Sequence, residues 1–215
     1  MNSVDELLKQ YATGNRNFTR VKLEAAYLCD IDLIGANLHE AYLIGANLSR
    51  SNLSGSNFSA ANLSEANLSE TSFNKANLTT TILVGATLYR TDLIGANLSQ
   101  ADLKDANCRE ALLLQADLSR TVLRETDLHG ANLFKANLRR ASLTKADLIG
   151  ANLSGVDLGG ADLMGASLIR ANLSGCSLNA ADLSRANLLG ANLAGVDLSG
   201  ADLTGATMPD GSIHG

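Results

Sequence analysis

Tryptophan is absent from the 215 residues, proline occurs once, and there are only four phenylalanines and four tyrosines. A globular domain of this length packs its core from mixed large side chains, aromatic ones prominent among them. That kind of core is excluded. Cysteine is scarce as well. Cys29, Cys108 and Cys176 make no disulfide framework, so a reducing compartment is expected, with the cytoplasm as the default location. There is no long apolar run to cross a membrane and no leader-peptide pattern.

The usual marks of chemistry are missing too. His39 and His129 lie many residues apart, and no CxxC, HExxH or GxxxxGK segment occurs. The spacing of a calcium loop is absent. The expectation is a protein without catalytic residues, metal site or cofactor, hence not an enzyme.

What is present is a beat of five. From Ala146 to Ala206 the chain repeats one phrase: a small residue, Asp or Asn, Leu, then two mostly polar or glycine places. Counting the Leu place as the centre, centres recur from Phe18 to Met208 without insertion, 39 in all, and only Cys108 and Met208 are neither Leu nor Phe. A fixed period is the signature of a repeat architecture. A helix cannot use it, because five residues at about 100° each carry the leucines round every face. An extended segment can. The small residue and Leu point inward together, and the Asp or Asn between them points out. The last two places must turn the chain, and Gly fills the second of them in 15 repeats. A type II corner needs positive φ there, which Gly adopts easily. Each repeat therefore reads as a very short strand plus a corner, stacked into a solenoid.

The period fails in residues 1–15. Ser3-Val4-Asp5-Glu6 reads as a capping box, and Val4, Leu7, Leu8 and Tyr11 follow helical spacing. A short amphipathic helix from about Val4 to Thr13 is expected, covering the open end of the first coil. Repeats fill 16–208, where Arg16, Val21 and Ile31 replace the small residue early on, and a turn and tail follow over 209–215.

The A(D/N)LxX phrase resembles that of the pentapeptide-repeat family, over about nine-tenths of the chain. The resemblance implies an all-β solenoid, a right-handed quadrilateral β-helix with twenty residues per coil. On that basis the chain makes nearly ten coils, with the N-terminal capping α-helix in front.

Twenty residues per coil stacks the outward positions in columns. One reads Asp30, Arg50, Glu70, Arg90, Glu110, an alternation that favours pairing between coils. At fifteen residues per coil it would dissolve. Residues 104–145 form a mixed basic band of net +3, and without interleaved aromatics it is weak ground for direct nucleic-acid binding. From Asp147 to the end the balance is net −5, and Asp162, Asp182 and Asp202 share a column, either tolerated by solvation or kept for a partner. Two columns are apolar: Ile149, Ile169 and Leu189 on one side, Ile94, Leu114 and Phe134 on another, with Leu112 and Val122 nearby. Contiguous exposed apolar groups commonly mark a partner site.

The leading reading is a non-enzymatic rod that binds another protein through these columns. The lead Tyr11-Ala12-x-Gly14-x-Arg16-Asn17-Phe18 resembles that of cyanobacterial family members, which implies a regulatory role in signalling or differentiation. The family also implies a different class of function, a DNA-mimicking modulator of DNA gyrase or topoisomerase. The modest charge of −5, the basic band and the lack of an inserted loop or C-terminal dimerisation helix count against it. A structural spacer without a specific partner is the third reading.

Overall fold

The computed structural model describes residues 3–215. Its first element is the helix α1, Val4–Ala12. Ser3 is the N-cap, extended at φ −138° and ψ 149°, and its hydroxyl accepts from the Glu6 N–H at 3.3 Å. That occupies one of the N–H groups a helix start leaves bare. Leu7 is fully buried, and Val4, Leu8 and Tyr11 pack partly buried against the core. The Tyr11 hydroxyl donates to the Ile34 carbonyl at 3.1 Å and ties the helix to the solenoid.

Arg16 departs from the inward place that the period assigns it. It is exposed, with its guanidinium 3.7 Å from the centre of the Tyr11 ring and donating to the Tyr11 carbonyl at 2.9 Å. An unpaired guanidinium cannot enter an apolar core, so it closes the end of α1 instead.

From Asn17 to Thr207 the residue before each centre forms a parallel bridge with the residue twenty later, as in Asn17↔Asn37, Asp102↔Val122 and Asn187↔Thr207. Four pentapeptides therefore complete one turn. The very short strand shrinks to a single bridging residue between corners.

The repeat 61–65 shows why the phrase has its composition. Ala61 N–H donates to the Phe58 carbonyl across the corner at 2.9 Å, and Asn62 N–H to Ala41 one coil back at 2.9 Å. Leu63 and Glu65 donate to Ile82 and Val84 one coil on, at 2.7 and 2.9 Å. The remaining N–H, of Ser64, is bonded by the Asn62 side chain at 3.0 Å. Every backbone donor is satisfied. The Asn or Asp is thus an Asx acceptor for the residue two places on, a role that outward orientation alone does not reveal.

The corners also go beyond the sequence reading. Positive φ is found at every fifth residue from Arg20 to Gly205, and 23 of these residues are not glycine. Their φ values run from 52° (Ala25) to 60° (Gln100), close to the left-handed helical well rather than the +80° of a type II turn. A side chain there costs about 1 kcal/mol. The inter-coil bonds of each repeat outweigh it. Glycine marks only the corners where that cost is avoided.

The centres are buried almost without remainder. Phe58 and Phe73 meet edge to face at 5.4 Å between ring centres. Where Thr or Ser takes the small inward place, its hydroxyl donates to a backbone carbonyl, as Thr71 does to Leu48 of the preceding coil at 2.7 Å. The three cysteines are free, Cys29 half-buried and Cys108 and Cys176 buried.

The charged column predicted from the sequence is present. Arg50 pairs with Asp30 and Arg90 with Glu110, each at 2.7 Å. Hydrogen bonding to Arg50 holds the Asp30 carboxyl below its usual range. At the far end Thr207 and Ile213 form an antiparallel bridge, so the tail folds back on the last repeat. Asp210 accepts from the Ser212 N–H at 2.9 Å and Gly211 turns at φ +88°.

Candidate interaction surface

Leu and Ala fill the axis of the coil, with Leu63, Leu83, Leu118 and Leu148 all at zero exposure. Cores packed in this way leave no chamber for a substrate, so any function belongs to the outside. Among the described residues no group of three His, Cys, Asp or Glu side chains could hold a metal ion, and no helix is long and apolar enough to cross a membrane.

Both apolar columns are continuous through the backbone. Gly150 N–H donates to Ile169 at 2.9 Å and Arg170 N–H to Leu189 at 2.9 Å. Gly95 and Gln115 do the same to Leu114 and Phe134, at 2.9 and 3.0 Å. Asx acceptors fix the local backbone: Asp147 for Ile149 at 2.9 Å, Asn187 for Leu189 at 3.0 Å and Asp92 for Ile94 at 2.9 Å. Stacking has a consequence that a column count does not show. Members cover one another at strand spacing, so Ile94, Leu114, Phe134, Ile149 and Ile169 are half-buried and only Leu189, at 45%, is exposed. Leu112, at 39%, widens the second column on the same side. The Lys135 ammonium lies 5.1 Å from the Phe134 ring centre. Each column is a low apolar ridge.

The acidic column is also real, with bridges Asp162↔Asp182 and Asp182↔Asp202. Its carboxylates have local work. Asp162 accepts from Met164 N–H at 3.0 Å and from the Thr144 hydroxyl at 2.8 Å, Asp182 from Ser184 N–H at 2.8 Å, and Asp202 from Thr204 N–H at 2.9 Å. Donation from the Thr204 backbone pushes the Asp202 carboxyl below its ordinary value. Bonds of this kind favour the charged form and occupy acceptor positions that a partner would otherwise use.

Sequence reasoning missed an aromatic group in the first coils. Tyr27 is 72% exposed, Tyr42 42% and Ile44 38%, with Lys22 Nζ 5.5 Å from the Tyr42 ring centre. Tyr27 and Tyr42 occupy the outward place that Asn or Asp usually takes. Reading that place column by column through the degenerate repeats would have exposed them.

Comparison with known proteins bears on this surface. The family model for pentapeptide repeats matches in 8 copies, over residues 17–59, 56–100, 101–140, 131–168, 141–179 and 171–208. Curated protein sequences offer no match. Among solved structures, the chain is similar to HetL, a pentapeptide repeat protein involved in heterocyst differentiation regulation from the cyanobacterium Nostoc sp. strain PCC 7120. Identity is 43%, each chain is covered over 100% of its length, and the TM-score is 0.52. It is also similar in fold to a trypsin-treated variant of QnrB1, a plasmid-mediated fluoroquinolone resistance protein. There identity is 20%, coverage 85% of this chain and 90% of that one, and the TM-score 0.66.

Proposed function

The chain belongs to the pentapeptide-repeat family, and within it we propose that the protein acts without catalysis, as a regulatory rod that binds another protein through its outer columns. On this reading 16–208 is a right-handed four-sided β-helix of nearly ten coils, α1 with residues 1–15 caps it, and 209–215 is the turn and tail. Three free thiols suit a reducing compartment, which supports the cytoplasm.

One observation carries the proposal. Ile149, Ile169 and Leu189 stand at an outward place that Ser154, Ser174 and Ser184 fill in adjoining repeats, on three coils in succession and in hydrogen-bonded register. Nothing in the packing of the core requires that. Partly exposed apolar groups gathered in this way are what a partner can desolvate. The similarity to HetL over the whole chain supports a regulatory setting rather than a spacer.

Recovery of a partner from host lysate by the native chain, and its loss with Ile149→Ser, Ile169→Ser and Leu189→Ser together, is the expected result. Unchanged recovery removes the column from the reading. A DNA gyrase supercoiling assay decides the alternative of a DNA mimic. Inhibition at micromolar protein would put that reading first.

A further inference from the structure

Three corner arginines find a carboxylate on an adjoining coil, whereas among the described residues Arg120 and Arg140, like Arg170 and Arg185, do not. Arg20 pairs with Glu40, Arg50 with Asp30 and Arg90 with Glu110 along their columns. Beyond Glu40 the same column runs Ala60, Thr80, Gln100, Arg120, Arg140, Gly160 and contains no further acid. Its register is set by the backbone. Gln100 N–H donates to Ser119 at 3.0 Å, Arg120 N–H to Arg139 at 2.9 Å and Arg140 N–H to Gly159 at 3.0 Å. Two guanidinium groups thus stand one coil apart, with Arg139 beside the second, although like charges so placed repel.

The three arginines border a shallow groove of about 430 Å³, whose other lining is Ser99, Gln100, Ser119 and Asn137. Two carboxylates of adjoining places are already engaged. Asp117 accepts from Ser119 N–H and from the Asn137 amide, both at 3.0 Å. Asp157 takes Arg139 at 3.1 Å. Arg120 and Arg140 have no carboxylate partner among the described residues. Gly159 and Gly160 keep the next coil bare beside them: a Cβ at Gly159 would meet Arg139 Nη1 at 3.0 Å, and one at Gly160 would lie 3.6 Å from Arg140 Cγ.

We infer that this groove binds a phosphoryl group, held between Arg120 and Arg140 and supplemented by the Ser99 and Ser119 hydroxyls. A planar guanidinium offers paired N–H donors that match phosphate oxygens, and two of them match a doubly charged group. The site stands apart from the apolar columns and does not depend on their role. The phosphoryl group has two sources, a free phosphate compound or a phosphorylated side chain of a protein.

Amide NMR on the full chain tests it, with pyrophosphate, a phosphoserine peptide and the same peptide without phosphate as probes. Saturable shifts confined to Ser99, Gln100, Ser119, Arg120, Arg139 and Arg140 are expected for at least one phosphorylated probe, and none for the bare peptide. Tighter binding of the phosphopeptide than of pyrophosphate assigns the group to a protein. The reverse assigns it to a free compound. Arg120→Gln with Arg140→Gln should weaken binding by about tenfold or more, and Arg124→Gln, outside the groove, should not. If the double variant melts early, Arg140→Gln alone carries the comparison. No saturable shift by about 10 mM of either phosphorylated probe, or equal weakening by Arg124→Gln, overturns the site.

Discussion

A backbone N–H buried without a partner costs about 1–3 kcal/mol, and the fourth place of each repeat has no carbonyl in reach of its donor. Where Asn or Asp stands two places earlier it supplies the acceptor, as Asn62 does for Ser64. Asn62→Ala should therefore lower stability by about 1 kcal/mol, and Asn62→Asp should nearly preserve it, because a carboxylate accepts the same bond. Thermal melts distinguish the two, and equal losses would remove the Asx role. The corners make a second residue-scale prediction. Ala60 sits at φ +56° with no long stem to lose, so Ala60→Gly should raise stability by up to about 1 kcal/mol. Ala61→Gly, at a buried inward place, should lower it. The thiols separate in the same way. Burial pushes Cys108 up to about 12 and Cys176 up to about 11, from an ordinary value of 9.0. Both raised values mean that folding disfavours the thiolate. Their contribution to stability is present below pH 9.0 and lost as pH climbs toward those values. In the native protein at mildly alkaline pH one thiol, Cys29, should react with a disulfide reagent. Three reactive thiols without unfolding would contradict the burial.

At the scale of the element, α1 is too short to be stable alone and depends on what it covers. Leu7 is its one fully buried side chain. Leu7→Ala should cost about 2–3 kcal/mol, and the loss should appear first in the amides of the opening coil, seen by hydrogen exchange. If exchange there is unchanged, the helix is not the cover. The charged corners belong to this scale as well. Arg50 reaches Asp30 only because the coil returns after twenty residues, and the same return makes neighbours of Arg120 and Arg140.

For the molecule as a whole, each coil touches only its neighbours, so stability is a sum of local contacts rather than a property of one centre. Protection should therefore vary along the rod. Leu83 and Leu93 are fully buried, while Leu193, Val196 and Leu198 are only partly covered. Exchange of the 193–201 amides should outpace that of 81–101. Uniform protection would mean that the chain opens as a single unit.

The period of five was enough to place nearly every buried side chain, because a two-residue alternation between corners leaves the small residue and the Leu no other direction. Residue 16 escaped it, since charge overrode position. Left-handed corners with side chains were not legible, because backbone sterics penalise them and only the summed inter-coil bonding makes them worthwhile. The apolar columns could be listed from the sequence once twenty residues per coil was assumed. How little of each member remains exposed could not, since exposure depends on what the coils above and below cover. The groove at Arg120 and Arg140 likewise needed coordinates: residues 99 and 140 become neighbours only through the return of the coil, and which arginines lack an acid is decided by side-chain reach in three dimensions.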